Sequence, residues 1–289
     1  MNLSIGKVQE VYAEKDLVTL IKKSIPFAIA FAIRNVKHYM GMRGLYRSNQ
    51  YLKLLYWLNA GYGRYDALAD PYKIVSVDPR EIEYVTGRGP NPGRFQWQDI
   101  GTIQGGDWDK NDKLVEELPV VKAVRERFER GKSWEEIEFI NHVKEQARRG
   151  NVVWRGCENT ADVDAACEYV DSLYAQIKNR GYKSKRELIQ EGNEIRSKDD
   201  PRYRFETYNE VAIDVGRDGQ VLFVDGRHRL TIAKILDINE IPVRISARHK
   251  HWQKIREIIA KADESKYRHS LIKAHSDHID LIDIHEKST

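Results

Sequence analysis

The segment from 211 to 245 constrains the fold more than any other, because short apolar runs, a turn signal, a glycine loop and a helical pattern follow one another without a gap. The apolar runs are rich in β-branched residues, which favour strands, and an Asp-Gly pair between two such runs is typical of a hairpin turn. The predicted elements are, in order, a strand at 211–215, a turn at 216–219, a strand at 221–224, a loop at 225–229, a helix at 230–236 and a strand at 241–245.

The loop at 225–229 has the chemistry of an anion site. A strand that feeds a tight glycine turn and a helix leaves backbone N–H groups free at the helix start, where the helix dipole favours negative charge. Arg227, His228 and Arg229 add side-chain donors, and an arginine can grip phosphate through two hydrogen bonds. Asp225 would repel an anion unless it bound a cation, capped the helix or took a proton from a substrate, and Mg²⁺ shared by Asp225 and a phosphate would remove the conflict. The alternative is that Asp225 caps the helix and the arginines are solvated.

The residues from Asp225 to Ile245, a D-G-x-x-R loop that opens a helix and is followed by an Ile-Pro-Val strand, resemble the signature of the ParB/sulfiredoxin-like superfamily. The likeness extends over Tyr65 to His251, because the strand Tyr72–Val77 and the turn Asp78–Ile82 are similar to the first strand and helix of that fold. The superfamily includes chromosome-partition proteins that bind CTP and DNA, sulfiredoxins, free-serine kinases and restriction-type proteins. The resemblance implies an α+β fold with a small mixed sheet, to which N- and C-terminal helices are added. It also implies that Gly226 to Arg229 hold nucleotide phosphates.

Two departures from the superfamily narrow the expected activity. Arg227 stands where sulfiredoxin's G-C-H-R has its cysteine, so the thiol chemistry is absent, although His228 and Arg229 match the last two residues of that motif. The partition proteins carry a Glu-Arg-Arg run after their glycine, whereas this chain has Arg-His-Arg and no obvious helix-turn-helix afterwards. The D-G-x-x-R form is closer to the kinase-like and restriction-like branches. We therefore expect a nucleotide-dependent phosphotransferase that uses ATP or ADP with Mg²⁺ on a small hydroxylated or glycan-type acceptor. Asp225 would act in catalysis and as the metal ligand, and Thr231 joins the phosphate-binding set.

Phosphoryl transfer also needs a base or metal ligand near the acceptor hydroxyl. Asp107 and Asp109 are candidates, since they flank Trp108 on a loop that begins with two glycines. The same loop is equally typical of a turn in which the Trp108 ring fills the core. Weaker supporting candidates are a carboxylate at a helix start and a basic cluster after the returning strand, namely Glu135, Arg248 and His249.

The stretch 17–64 contains no Asp or Glu but eight basic residues, with aromatic residues between them. Such a stretch could lie on an anionic membrane surface, or it could follow a nucleic-acid backbone with its rings available for stacking. It could equally be an ordinary helical subdomain whose acidic partners lie elsewhere. If its basic part, 22–64, binds DNA, the chain would be a ParB-like DNA-binding protein or nuclease, which is the alternative function. A nucleotide-binding module without turnover is a third possibility.

Length, charge and cysteine content limit the classes of protein to which this chain can belong. With 289 residues, 41% hydrophobic and 32% charged, the chain can bury a substantial core. A net charge of +4 does not by itself indicate a nucleic-acid binder, and two cysteines favour a reducing cytoplasm, with peripheral membrane contact through 17–64 as an option. The expected organisation is a basic helical region at 1–64, a nucleotide-binding domain at 65–251, and a polar C-terminal helix and tail at 252–289.

Overall fold

The computed structural model describes residues 56–57, 59–60, 64–70, 72–88, 100–192, 207–261 and 266–285. These residues form an α+β fold, as the sequence predicts, with a six-stranded mixed sheet and eight α-helices in the described part of the chain. The strands are β1 (Ile74–Val77), β2 (Tyr84–Val85), β3 (Thr102–Gln104), β4 (Val211–Val215), β5 (Val221–Asp225) and β6 (Ile241–His249).

The sheet is built around β4, whose five residues are all buried. The strand order is β1-β6-β4-β5-β2, and β3 pairs with β6 beside β1. The β4–β5 hairpin is antiparallel, as the Asp-Gly turn predicts, while β6 returns parallel to β4. At the sheet edges β1 is antiparallel to β6, and β2 is parallel to β5.

The register of the hairpin defines two ends of the sheet. Asp225 pairs with Ala212 at the end where β5 leads into the glycine loop, which we name the loop end. Val221 pairs with Val215 at the opposite end, beside the turn 216–220, which we name the hairpin end. A strand rises about 3.3 Å per residue, so the length of β5 separates the two ends by about 13 Å.

Helices cover the sheet and form a second core beside it. One buried cluster joins the strands to residues of the helices that flank them, and a second cluster lies among the helices of residues 119–180. Leu230 and Ala233 belong to the first cluster and Ile232 to the second, so the helix after the glycine loop is held from both sides. The helices are α1 (Pro119–Phe128), α2 (Glu138–Arg148), α3 (Thr160–Arg180), α4 (Lys185–Glu191), α5 (Arg227–Ile235), α6 (Lys250–Ala260), α7 (Lys266–His275) and α8 (Ile282–His285).

Helix ends follow the capping signals in the sequence. Asn159 Oδ1 accepts a hydrogen bond from Asp162 N at 3.0 Å at the start of α3, and Gly181, with φ of 75°, follows the end of that helix. Asp78 caps the short turn that begins at Pro79, where its carboxylate accepts from Arg80 N at 2.9 Å. No helix in the described ranges is long and apolar enough to cross a membrane.

The C-terminal segment packs more deeply than a polar tail would. α7 has no buried residue, in agreement with the prediction, but Asp280, Leu281 and Ile284 after it are buried. Asp280 accepts two hydrogen bonds from Arg248, at 2.6 and 2.8 Å, and a third from Trp252 Nε1 at 2.9 Å. The prediction of a polar tail is therefore wrong for 280–284, because a buried ion pair and apolar side chains dock this segment on α6 and the end of β6.

Candidate functional site

The turn from β5 into α5 depends on a glycine. Gly226 has φ of 97° and ψ of 26°, a left-handed conformation that residues with a Cβ adopt at a cost. A Cβ at this position would also lie 3.0 Å from the Val211 Cα. Gly226 O accepts the first backbone bond of the helix, from Leu230 N at 3.0 Å. The helix begins at Arg227, three residues before the predicted start, so the basic residues form its first turn rather than a loop before it.

This first turn contains two arginines, whose charge is unfavourable at a helix start. Arg227, His228 and Arg229 occupy the turn, no acidic residue does, and the N-cap residue Gly226 has no side chain with which to cap it. Three backbone N–H groups precede the first intrahelical bond and point out of the helix, where the dipole favours an anion over a cation. The helix start is therefore a donor-rich position that an anion would stabilise.

Asp225 is the carboxylate that this turn presents to solvent. It lies at the last position of β5, and its side chain is 45% exposed. The nearest guanidinium nitrogen, Arg227 Nη2, lies 4.0 Å from Asp225 Oδ1, at the limit of an ion pair, and the Arg227 side chain is 32% exposed. The loop end of the sheet is thus open at these two residues, so a ligand could reach both side chains.

Arg229 is held by a buried carboxylate. Its Nη1 donates to Glu210 Oε2 at 3.0 Å, and the Glu210 side chain is only 1% exposed. Glu210 also accepts a hydrogen bond from the Lys185 backbone at the start of α4. Burial raises the pKa of Glu210, while the neighbouring Arg229 and Lys185 oppose that shift. Arg229 therefore joins the glycine loop to α4.

His228 lies between arginines and an indole ring. Its ring centroid is 5.5 Å from that of Trp154, and its Nε2 is buried without a hydrogen-bond partner among the described residues. Burial, together with the neighbouring Arg155, Arg227 and Arg229, lowers the pKa of His228 to about 3, so the imidazole is neutral. Arg155 has φ of 61°, an uncommon value for a residue with a side chain, and its guanidinium stacks 4.3 Å from the Tyr169 ring centroid.

Thr231 does not take part in this opening. It is buried, and its hydroxyl donates to Arg227 O at 2.7 Å, one turn back along α5. This bond engages the hydroxyl within α5, so the structure gives no support for phosphate binding by Thr231, which stays a prediction.

The structure does not bring Asp107 and Asp109 to the loop end. Both carboxylates bind Arg217 in the turn between β4 and β5, with Arg217 Nη2 at 2.7 Å from each. Asp109 also accepts from the Arg217 backbone N at 2.8 Å, and these hydrogen bonds outweigh desolvation to lower the pKa of Asp109 to about 2. The two residues lie at the hairpin end, at least the length of β5 from Asp225, because their partner arginine stands on that turn.

The weaker supporting candidates are not at the loop end either. Glu135 is exposed in a short 3-10 turn whose Trp134 packs in the second core cluster. Arg248 and His249 end β6 at the hairpin end rather than following the strand as predicted. Arg248 is paired with Asp280, and His249 Nε2 lies 3.0 Å from Gly106 O. These bonds therefore hold the C-terminal segment, through Asp280, and the loop around Gly106 against the end of β6.

Part of the predicted surface lies outside the described residues. Of the basic stretch 17–64, only residues 56, 57, 59, 60 and 64 are described. Other residues lie near the loop end that the sequence patterns did not indicate. The fold brings them there from distant segments of the chain. These are Glu210 before β4, Trp154 and Arg155 after α2, and Tyr182 after α3.

Comparisons with protein-family models, with curated proteins and with solved structures give no match to this chain. The likeness to the ParB/sulfiredoxin-like superfamily therefore depends on the sequence motif alone.

Proposed function

We propose that this chain binds the phosphates of ATP or ADP at the start of α5 and transfers a phosphoryl group to a small hydroxylated or glycan-type acceptor. The observation that supports the proposal is the helix start, whose N-cap is Gly226 and whose first turn carries Arg227, His228 and Arg229 and no acidic residue. Cations at this end of a helix destabilise it unless an anion binds there. A phosphate chain would accept hydrogen bonds from backbone N–H groups of this turn and offset its positive charge.

Arg227 is the side chain best suited to grip the phosphates. Its side chain belongs to the first turn of α5 and is partly exposed, in contrast to the buried pair of Arg229 and Glu210. Hydrogen bonds from a guanidinium to phosphate are charge-assisted and can be bidentate. His228 is neutral and adds no charge to the turn. Arg227 and the backbone amides would therefore supply most of the attraction for the phosphates.

Asp225 would hold Mg²⁺ in this proposal. In the described residues no group of three or more His, Cys, Asp or Glu side chains is arranged to hold a metal ion. Mg²⁺ is commonly bound by one or two carboxylates together with substrate phosphates and water, so a single half-exposed carboxylate beside the phosphate position fits that donor set. When bound, the ion would neutralise charge that develops on the phosphoryl oxygens.

The acceptor hydroxyl must lose a proton during transfer. Asp107 and Asp109, expected in this role from the sequence, lie at the other end of the sheet and are bound to Arg217. Asp225 is therefore the carboxylate we assign to orient or deprotonate the acceptor, in addition to its contact with the metal.

The test is nucleotide binding and product formation with purified protein, ATP or ADP, MgCl₂ and a panel of small hydroxylated and glycan acceptors. We expect Arg227→Ala to weaken nucleotide binding by about 10- to 100-fold, as loss of a charge-assisted hydrogen bond does. Arg130→Ala is the matched control, because Arg130 is exposed at the end of α1 and only weakly paired, 4.0 Å from Glu126. Asp225→Asn should abolish turnover while the fold is kept. Unchanged affinity in Arg227→Ala together with unchanged turnover in Asp225→Asn would remove this loop from the function.

A further inference from the structure

A cavity of about 220 Å³ lies between α3 and α4, and Arg229 of the glycine loop forms part of its wall. Ligand pockets for drug-sized molecules are commonly about 300 to 1,000 Å³, so this cavity suits one small cyclic group rather than a whole nucleotide. Its position beside the first turn of α5 is the reason to consider it together with the phosphate site.

The walls of the cavity combine apolar faces with a few polar groups. Leu173, Ile177 and Leu188 supply aliphatic surface, and the Tyr169 ring stands at the wall with Arg155 stacked on it. Ser172 and Gln176 supply hydrogen-bonding groups. A ring with heteroatoms on its edge, which is the chemistry of a nucleobase or a ribose, matches this mixture of surfaces.

One side chain of the wall carries a hydroxyl without a well-aligned protein partner. The Tyr182 hydroxyl is buried and makes no hydrogen bond of good geometry with a described group, although the Arg229 side chain is close enough to lower its pKa. Leaving a buried hydroxyl without a bond costs free energy, so such an atom commonly bonds to water or to a ligand. Burial also raises the pKa of Tyr182 well above its ordinary value, so the hydroxyl is available as a donor.

Two arginines connect the cavity to the phosphate position. Arg229 belongs to the first turn of α5 and also lines the cavity, and Arg155 lies close enough to His228 to lower its pKa while its guanidinium covers Tyr169. A single elongated ligand could therefore touch the amides of α5 at one end and the cavity wall at the other.

We infer that this cavity holds the nucleoside part of the nucleotide whose phosphates bind at the start of α5. The inference rests on the proposed function and deepens it, since it assigns the recognition of the nucleoside to α3 and α4. Arg229, which is held by Glu210, lies between the phosphate position at the start of α5 and the cavity.

The experiment compares two probes, ATP with MgCl₂ and inorganic pyrophosphate with MgCl₂, by titration calorimetry on the full chain. Tyr182→Phe removes only the hydroxyl, and Tyr174→Phe is its matched control, because Tyr174 stacks on Phe128 away from the cavity. We expect Tyr182→Phe to weaken ATP binding by about three- to tenfold, the effect of one hydrogen bond, and to leave pyrophosphate binding unchanged.

A second pair of variants fills the cavity from an exposed face of α3, where a large side chain is tolerated. Ser172→Trp projects into the cavity, and Ala175→Trp, exposed on the same helix but outside the cavity wall, is its control. ATP binding should weaken in Ser172→Trp alone, by about tenfold or more if the ring is excluded, with pyrophosphate unaffected.

The outcomes separate this inference from the proposed function. Wild-type protein that binds both probes, with ATP affinity unchanged in Tyr182→Phe and Ser172→Trp, would overturn the nucleoside assignment and leave the phosphate site standing. Equal losses for ATP and pyrophosphate would overturn it as well, because the cavity would then not distinguish the nucleoside. Wild-type protein that binds neither probe would refute the phosphate site itself.

Discussion

Replacing Asp109 by asparagine tests whether the Gly-Gly-Asp-Trp-Asp loop is a structural clamp rather than part of a catalytic site. The Asp109 side chain is 3% exposed and accepts hydrogen bonds from the Arg217 side chain and backbone. Asparagine keeps the size of the side chain but removes the charge that Arg217 binds. The substitution therefore isolates the ion pair between the loop and the β4–β5 turn.

The magnitude follows from the pKa of Asp109, which the Arg217 bonds lower from 3.8 to about 2. A difference of about 1.8 pH units corresponds to about 2.4 kcal/mol, so the ion pair stabilises the fold by about 2 kcal/mol at pH 7. Because the folded-state pKa is the lower one, this stabilisation is fully present above pH 3.8 and is lost as the pH falls through about 2. At pH 3 about half of it remains.

The assay is urea unfolding of wild type and Asp109→Asn at pH 7, 5, 4 and 3, with Asp107→Asn as the control. Asp107 contacts the same Arg217 but its side chain is 70% exposed, so we expect a much smaller loss for the control. The difference between wild type and Asp109→Asn should stay near 2 kcal/mol from pH 7 to 5 and shrink at pH 3. A difference that is absent at pH 7, or that does not depend on pH, would refute the clamp, and loss of nucleotide turnover without loss of stability would restore a catalytic role.

Three further predictions concern the loop and the C-terminal segment. Gly226→Ala forces a Cβ into a left-handed conformation and against Val211, so we expect chemical denaturation to show a loss of about 2 kcal/mol or more, together with loss of phosphate binding. Asp280→Asn leaves Arg248 with a neutral partner in the interior and should lower the free energy of unfolding by about 3–5 kcal/mol, measured by the same method. Pyrophosphate at about 100 times its Kd should stabilise wild type by about 2.7 kcal/mol in thermal unfolding, and this gain should shrink in Arg227→Ala.

Sequence patterns predicted the hairpin well because its signals are local. The prediction for β4 matches at both ends, and the β5 prediction ends one residue early, since apolar runs bounded by a turn specify strands over short distances. The predicted start of α5 at Leu230 was three residues late. Apolar periodicity begins there, whereas the backbone already turns at Gly226, where the left-handed conformation sets the helix start.

Errors arose where a partner lies far along the chain. β6 was predicted to end at Ile245 because polar residues follow, yet Arg248 stays in the strand since Asp280 supplies a buried counter-charge. Asp109 was a candidate catalytic carboxylate and equally a residue of a turn around Trp108, and the sequence gives no sign that its partner is Arg217, 108 residues away. Glu210 carried no local signal, since only the fold brings it to Arg229.

The two arginines of the loop have different roles because their environments differ. A phosphate that took Arg229 would leave Glu210 unpaired in the interior, and breaking a buried pair of this kind costs about 3–5 kcal/mol. The raised pKa of Glu210 offers one way to lower that cost, namely uptake of a proton, so any phosphate contact by Arg229 would strengthen as the pH falls. Arg227 and its neighbour Asp225 are both partly exposed, so a contact between Arg227 and a phosphate would not leave Asp225 as an unpaired charge in the interior. It follows that Arg227 determines the affinity for phosphate. Arg229, through its bond to Glu210, determines how stably the loop at 225–229 is held to α4.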